Sequence, residues 1–451
     1  MSDYRALGGV PFMPKPARPA PANTTGVVGW MRQNLFSSPS NALLTLVGAY
    51  IAYVTIMAIL NWAVFNAVFE AESRRECLDL VGRAGACWPG VVAWSRQIMY
   101  GLYPADQIWR INMGFLTLIL WVVPLWLPRV QSKVAIGLTA VLVYPFLASY
   151  WFLGGQAGFV WSVLIAASIA CFVWVWATAL LESFTGATFG RFVLTLLGVQ
   201  HRSEQDQRRV LRAVAAAMLL VAYVAVSFWT LPFVPTTRWG GFFLTLVISG
   251  IGIAFSLPSG ILLALGRRCD MPVIRIACVL FIELFRSVPL ITILFMFNTM
   301  LPLFLPVGVE VNQLLRAIVA VCLFAAAYMA EVIRGGLQAI PRGQYEAASA
   351  MGLGFWQTTV LIIMPQALKI MIPTIVGNFI GLFKDTTLVS IIGLFDVLNM
   401  ARAVGEDTRW LGLFIEPFFA VTVLYFICCF AMSQYSINLE RKLDTGPGGR
   451  R

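Results

Sequence analysis

Residues 345–368 read YEAASAMGLGFWQTTVLIIMPQAL. The stretch opens with Glu346, Ala347 and Ala348, is interrupted at Gly352 and Gly354, and resumes as an apolar run around Pro365. Ala, Glu and Met favour a helical turn, whereas Gly supplies backbone freedom that ends one or lets the chain bend. The spacing predicts a short helix, a bend and a second segment before Pro365 opens the next apolar helix. A plain loop would account for the polarity of the stretch, but not for its length or its small-residue face.

The rest of the chain sets this stretch among apolar segments. Of 451 residues 59% are hydrophobic and only 12% are charged, against about 25% charged in soluble domains. Runs long enough to span a bilayer lie at 43–66, 112–128, 134–153, 158–181, 213–233, 241–265, 276–304, 314–333, 366–392 and 411–435. The fold class is therefore an all-α integral membrane protein of about ten transmembrane helices, with both chain ends on one side. Of the 32 Lys and Arg, 21 fall in the segments that ten crossings place on that side, which the positive-inside rule makes the cytoplasm. The loop at 67–111 then faces outward. The net charge of +11 is explained by this distribution, so no nucleic-acid partner is expected. Residues 1–42 form a Pro-rich cytoplasmic tail without the pattern of a signal peptide, and 444–451 a second cytoplasmic tail.

Composition changes near residue 234. The runs before it, within 43–233, are rich in Trp and Val and carry no charged residue, as befits an accessory bundle. After it, Gly250, Gly252, Ser256, Pro258 and Gly260 enter one run, and Glu283, Arg286, Glu331, Arg334, Lys384 and Asp385 enter others. Small residues at four-residue spacing permit close helix contact, and intramembrane charges are costly unless paired or set in a polar cavity. The segment 234–443 is thus the functional half.

Few residues suit covalent or metal chemistry. The single histidine, His201, lies in a polar stretch without partner ligands, so neither a catalytic residue nor a metal site is expected. Cys171, Cys278, Cys322, Cys428 and Cys429 fall in apolar runs as small core residues. Cys77 and Cys87 bracket the polar loop ECLDLVGRAGACW; facing an oxidising compartment they would form a short-loop disulfide, and otherwise stay two thiols.

Glu346, Ala347, Ala348, Gly352, Ile362 and Pro365 match the spacing of the cytoplasmic loop of ABC-importer permeases, with Met364 where that family usually has Leu. The resemblance extends over about 241–443 through ELFRSVPLITILF, YMAEVIRGGLQAIPRGQYEAA, MPQALKIMIPTIVGNFIGLFKDTTLVS and INLERKL, segments similar to the polar amino acid branch. It implies a C-terminal five-helix type I ABC-importer permease core. The five extra crossings and the outward loop resemble the long permease subunit of general L-amino acid importers of Gram-negative bacteria. The loop 345–365 would then be a coupling loop: Ala347 and Ala348 permit close approach to an ATPase subunit, Glu346 meets a basic partner, and Gly352 bends the chain. The chain has no G-x-x-x-x-G-K-[ST] motif and no Gly-Lys pair, so ATP and Mg would bind on the partner ATPase and no cofactor on this chain. The resemblance implies a second related permease, two ATPase subunits, a periplasmic amino-acid-binding protein and an L-amino acid substrate, in a bacterial inner membrane.

An amino acid presents a carboxylate and an ammonium. Asn378, Lys384, Asp385, Thr386 and Thr387, in one run broken by Pro373 and Gly381, supply the matching group types and are the candidate substrate-binding residues. The alternative for Lys384 and Asp385 is a structural pair or an interfacial position. Glu331 and Arg334, three apart, are expected to form an ion pair. Arg286 would orient its helix or reach a substrate carboxylate. The competing functional class is an ion-coupled secondary amino acid transporter using Lys384, Asp385 and Glu331; a non-transporting scaffold is a weaker one.

Overall fold

The structure, a computed structural model, describes residues 26–155, 158–185, 188–201, 203–306 and 308–443; the rest of the two terminal tails lies outside them. Among the described residues there is no β-strand. Eight helices among the described residues are long and apolar enough to cross a membrane, and ten spans result if two bent pairs each count as one.

The described chain falls into two compact units, the first ending at Pro89 and the second beginning at Gly90. In the first, α1 (Pro39–Leu60) starts at Ser38, whose side chain accepts from the Asn41 N–H, with Pro39 in the first turn. No residue of α1 is buried, and an apolar helix without a buried stripe is one solvated by lipid. Next, α2 (Arg74–Val81) is capped by Ser73, and the Glu76 carboxylate reaches back to the Glu72 N–H at 2.7 Å. A disulfide joins Cys77 to Cys87 across Gly82, which has φ +63°. The Trp88 indole donates to the Ala63 carbonyl at 2.8 Å, tying the loop to the end of the first span.

The second unit holds α3 (Ile108–Val122), α4 (Lys133–Leu142), α5 (Tyr144–Phe152), α6 (Phe159–Thr185) and α7 (Glu204–Phe228), followed by α8 (Gly241–Arg267), α9 (Pro272–Ser287), α10 (Leu290–Thr299) and α11 (Gln313–Ala339). Then come α12 (Arg342–Ala350), α13 (Met364–Asp385), α14 (Val397–Val404) and α15 (Ile415–Leu443). Between α9 and α10 the chain turns by 104°. Pro289 removes a backbone donor there and drives Val288 to extended backbone (φ −110°, ψ 132°), which the helix cannot absorb. The break between α4 and α5 is 43°, with Pro145 in the first turn of α5.

Two boundaries differ from the apolar runs. α7 begins at Glu204 rather than near 213, because Ser203 caps it and its first turns are polar residues able to extend a helix beyond the apolar layer. The run expected from 366 is preceded by helical hydrogen bonding from Phe355, so the second segment of the opening stretch is continuous with the span that Pro365 had been expected to open. Pro365 sits in the first turn of α13, where its missing N–H costs little.

The composition change at 234 is no gap in packing. Phe243 of α8 lies at the centre of an aromatic cluster with Tyr103, Phe115, Phe152 and Trp239, at ring-centroid distances of 6.0, 6.1, 5.0 and 5.1 Å. One core therefore takes residues from both sides of it. Arg110, fully buried in the candidate span 105–126, adds a polar clamp by donating to the carbonyls of Trp151 (2.9 Å) and Pro232 (2.8 Å). This corrects the reading that the first half carries no intramembrane charge: the apolar run at 112–128 starts just past Arg110.

Candidate functional site

Three helices build a cavity of about 460 Å³ in the second unit. α8 and α11 run parallel and close, since Gly252 lies against Val321 and Gly260 against Met329. α13 packs antiparallel to them, with Leu382 near Gly252 and the Ala367 carbonyl near Gly336. Ser256 of α8, Phe324, Tyr328 and Met329 of α11, and a face of α13 line the space. On α13 the lining includes Thr374, Asn378, Gly381 and Asp385, spaced at helical intervals, with Gly377, Phe379 and Leu382 beside them.

The same periodicity separates the candidate substrate residues. Asn378 and Asp385 line the cavity, whereas Lys384, one residue away and about 100° around the helix, is exposed and lies outside the lining. Thr386 is buried and its hydroxyl donates to the Phe383 carbonyl at 2.7 Å; Thr387 donates to the Lys384 carbonyl at 2.9 Å. These two hydroxyls close the end of α13 and are not brought to the cavity. Asn378 uses one N–H on the Thr374 carbonyl at 3.0 Å. The volume suits a small molecule, and the chemistry offered is a carboxylate, an amide and aromatic walls.

Beside the cavity lies a charged cluster that no short sequence motif announces. Arg267 ends α8, Glu283 and Arg286 lie on α9, and Glu331 and Arg334 on α11. Arg334 is hydrogen bonded to the Glu331 carboxylate. Glu331 also lies 3.6 Å from Arg267 and 3.5 Å from Arg286, and Arg267 lies 3.1 Å from Glu283. The pair expected from three-residue spacing is thus one edge of a five-residue network across three helices. The guanidinium of Arg286 also sits 5.7 Å from the centroid of the Tyr328 ring, and that ring lines the cavity.

The stretch around Glu346 forms α12, a turn at Gly352 and the segment 355–363. Gly352 has φ +73° with open space around it, so glycine serves the backbone there and not packing. Glu346 and Ala347 are exposed, but Ala348 is only 2% exposed and faces the protein. The two alanines therefore do not form one docking face: α12 packs inward through Ala348 against the segment 358–363. Met351, Phe355 and Trp356 are 78, 62 and 63% exposed, an apolar tip of the kind that marks an interaction site. Tyr345 ties α12 to the bundle: its hydroxyl donates to the Leu337 carbonyl at 3.3 Å, and the Arg268 side chain donates to it at 3.4 Å.

His201 is exposed, and the described residues contain no group of metal-ligating side chains. Of the cysteines expected in the core, Cys322 is buried and Cys171, Cys278, Cys428 and Cys429 are half-buried.

A bundle of apolar helices, a small cavity and an exposed helical loop with an apolar tip fit a membrane transport subunit. Residues 256–445 match the family of binding-protein-dependent transport system inner membrane components. The chain is 39% identical over 431 residues to the inner membrane amino-acid ABC transporter permease protein YhdY of Escherichia coli K12, covering 96% of this chain and 97% of that one. It is 43% identical over 437 residues to the glutamate/glutamine/aspartate/asparagine transport system permease protein BztC of Rhodobacter capsulatus, covering 94 and 96%. The probable glutamine ABC transporter permease protein GlnP of Bacillus subtilis matches 45% of this chain at 34% identity, over 91% of its own length. A solved amino acid ABC transporter matches 45% of the chain at 27% identity with a TM-score of 0.41. The chain belongs to the ABC transporter permeases, and the ion-coupled transporter class is set aside. Length separates it from relatives such as GlnP, whereas relatives such as YhdY match nearly its whole length.

Proposed function

We propose that this permease serves a general importer of L-amino acids with polar, acidic and amide side chains in a bacterial inner membrane, with both termini cytoplasmic. A periplasmic binding protein delivers the amino acid, a second related permease completes the transmembrane pair, and two ATPase subunits holding ATP and Mg drive alternating access. This chain holds no ATPase site of its own. The observation that carries the reading is the pairing of an exposed helical loop with a small, mainly apolar cavity that holds a carboxylate and an amide on one helix pair, α11 and α13, whose ends that loop connects. Asp385 faces the substrate's ammonium and Asn378 its polar side chain. Glu346, Ala347, Gly352 and the apolar tip meet the ATPase, while Ala348 and Pro365 hold the loop in shape. The similarity to a relative named for glutamate, glutamine, aspartate and asparagine transport supports the substrate class.

The test is uptake by proteoliposomes containing the whole complex. ATP-dependent uptake of labelled L-glutamine or L-glutamate that needs the binding protein and survives an uncoupler is expected. Glu346→Arg should lower both uptake and co-purification of the ATPase subunits. If both survive in that variant, the coupling-loop assignment falls.

A further inference from the structure

The cavity has a carboxylate for an amino acid's ammonium but, among the described residues, no Lys or Arg for its carboxylate. A carboxylate entering an apolar-walled space needs a charge-assisted partner. Lys384 adjoins Asp385 but is exposed and lies outside the lining; a second supply is the cluster behind Tyr328. That cluster holds three arginines, Arg267, Arg286 and Arg334, against two glutamates, Glu283 and Glu331, and so carries one surplus positive charge.

Geometry identifies which arginine is the surplus one. Arg334 is hydrogen bonded to Glu331, and Arg267 lies 3.1 Å from Glu283. Arg286 has the loosest tie, 3.5 Å to a Glu331 already engaged by the other two; among the described residues its Nε has no hydrogen-bond partner, as is also true of Nη1 of Arg267, which nevertheless lies 3.1 Å from Glu283. Its side chain is one-third exposed, and its guanidinium lies over the ring that forms a cavity wall. If Arg286 leaves, two arginines and two glutamates remain, so Glu331 is not stranded as an uncompensated charge.

We propose that Arg286 is the residue that takes the carboxylate of the transported amino acid, exchanging Glu331 for it as the cavity fills. The inference rests on the reading of the cavity as the substrate site. Substrate would lie with its carboxylate toward Arg286 past the edge of Tyr328. A filled cavity would then loosen the tie between α9 and α11, and an empty one would restore it.

The test is equilibrium binding to the complete complex in nanodiscs without the binding protein. The probes are radiolabelled L-glutamine and its α-carboxamide, which keeps the ammonium but lacks the carboxylate. In the wild type, L-glutamine should bind at least about tenfold more tightly than the amide, the scale of one charged hydrogen bond. Arg286→Gln should abolish that preference by weakening L-glutamine alone, and Arg286→Lys should recover most of it. A merely structural role for Arg286 would weaken both probes alike. Glu331→Gln removes the competitor and should raise the preference several-fold, which keeps the question answerable if Arg286→Gln does not assemble. Undiminished preference in Arg286→Gln, or no rise in Glu331→Gln, overturns the inference. Asp385→Asn separates this from the cavity reading: loss of both probes there, with preference intact in Arg286→Gln, leaves the cavity standing and removes Arg286 from it. Wild-type binding of both probes by Asp385→Asn removes the cavity as the site and the inference with it.

Discussion

Gly250 and Gly260 lie on the same helix, and the structure gives opposite signs for adding one methyl group to each. A Cβ on Gly260 would stand 2.7 and 2.8 Å from Met329 Cγ and Cβ and 3.0 Å from the Ala330 backbone nitrogen. The Met329 stem and the α11 backbone cannot both give way without moving α8 from α11. A Cβ on Gly250 meets nothing within 4 Å. Either substitution gains about 0.5–1 kcal/mol of helix propensity, so this term cancels when the two are compared. What remains is over-packing at Gly260, about 1–3 kcal/mol. At roughly 2–4 °C per kcal/mol, Gly260→Ala should melt about 2–12 °C below Gly250→Ala in detergent. Because Met329 lines the cavity, Gly260→Ala should also weaken L-glutamine binding, whereas Gly250→Ala should not. The assay is thermal melting of the purified complex beside equilibrium binding. Equal melting temperatures, or a more stable Gly260→Ala, would refute the close α8 and α11 packing on which the cavity depends.

Three further outcomes follow from single residues. Arg110→Met should destabilise the complex by roughly 3–5 kcal/mol, since the Trp151 and Pro232 carbonyls lose their buried donor; Arg110→Lys, a point charge in place of a fork, should recover only part in the same melting assay. Cys77→Ser with Cys87→Ser, or reduction, should cost the loop about 2–3 kcal/mol of local stability, read as faster hydrogen exchange over 74–88 with melting of the second unit unchanged. Burial pushes the Asp396 carboxyl up to about 7, overriding the Leu398 and Asn399 N–H groups that favour its charged form. A folded value above the unfolded 3.8 means that the native state holds the extra proton, so this contribution is full below about pH 4 and is lost as pH rises towards 7. Asp396→Asn keeps the cap and should remove up to about 1.4 kcal/mol per pH unit of slope in that window, measured as melting temperature against pH beside the wild type.

What could be read from the chain was whatever depends on local order. Run length fixes the spans, and Gly352 within a helix-favouring stretch fixes the turn of the loop. The cavity face of α13 was also within reach, because Thr374, Asn378, Gly381 and Asp385 obey helical periodicity while Lys384 breaks it; group type alone had placed Lys384 and Asp385 together. Arg110 was not legible, since its acceptors lie 41 and 122 residues away and the apolar run starts after it. Nor was the five-residue cluster, which exists only because α8, α9 and α11 converge. Ala348 illustrates the same limit: two adjacent alanines look equivalent in sequence, and helix phase turns one inward.

The loop and the cavity are joined by a short physical route, which one hydroxyl group tests. Tyr345 on α12 bridges the Leu337 carbonyl of α11 and Arg268, which follows Arg267 at the end of α8. Displacing α12 therefore pulls on the two helices that carry Arg267 and Glu331, and less than three turns further along α11 lie Tyr328 and Met329 in the cavity wall. Coupling is a free energy between sites, so an energetic measurement tests this route. Tyr345→Phe removes only two long hydrogen bonds at a half-buried site, so its stability cost should stay below about 1 kcal/mol. If the hydroxyl transmits motion, that variant should import fewer amino acids per ATP hydrolysed while its melting temperature holds. Arg268→Gln should have the same effect, and the double variant should be no worse than either alone, because both remove one link. Additive losses in the double variant, or an unchanged transport-to-hydrolysis ratio in Tyr345→Phe, would place the transmission elsewhere, in the backbone of Ile340 and Pro341 that joins α11 directly to α12.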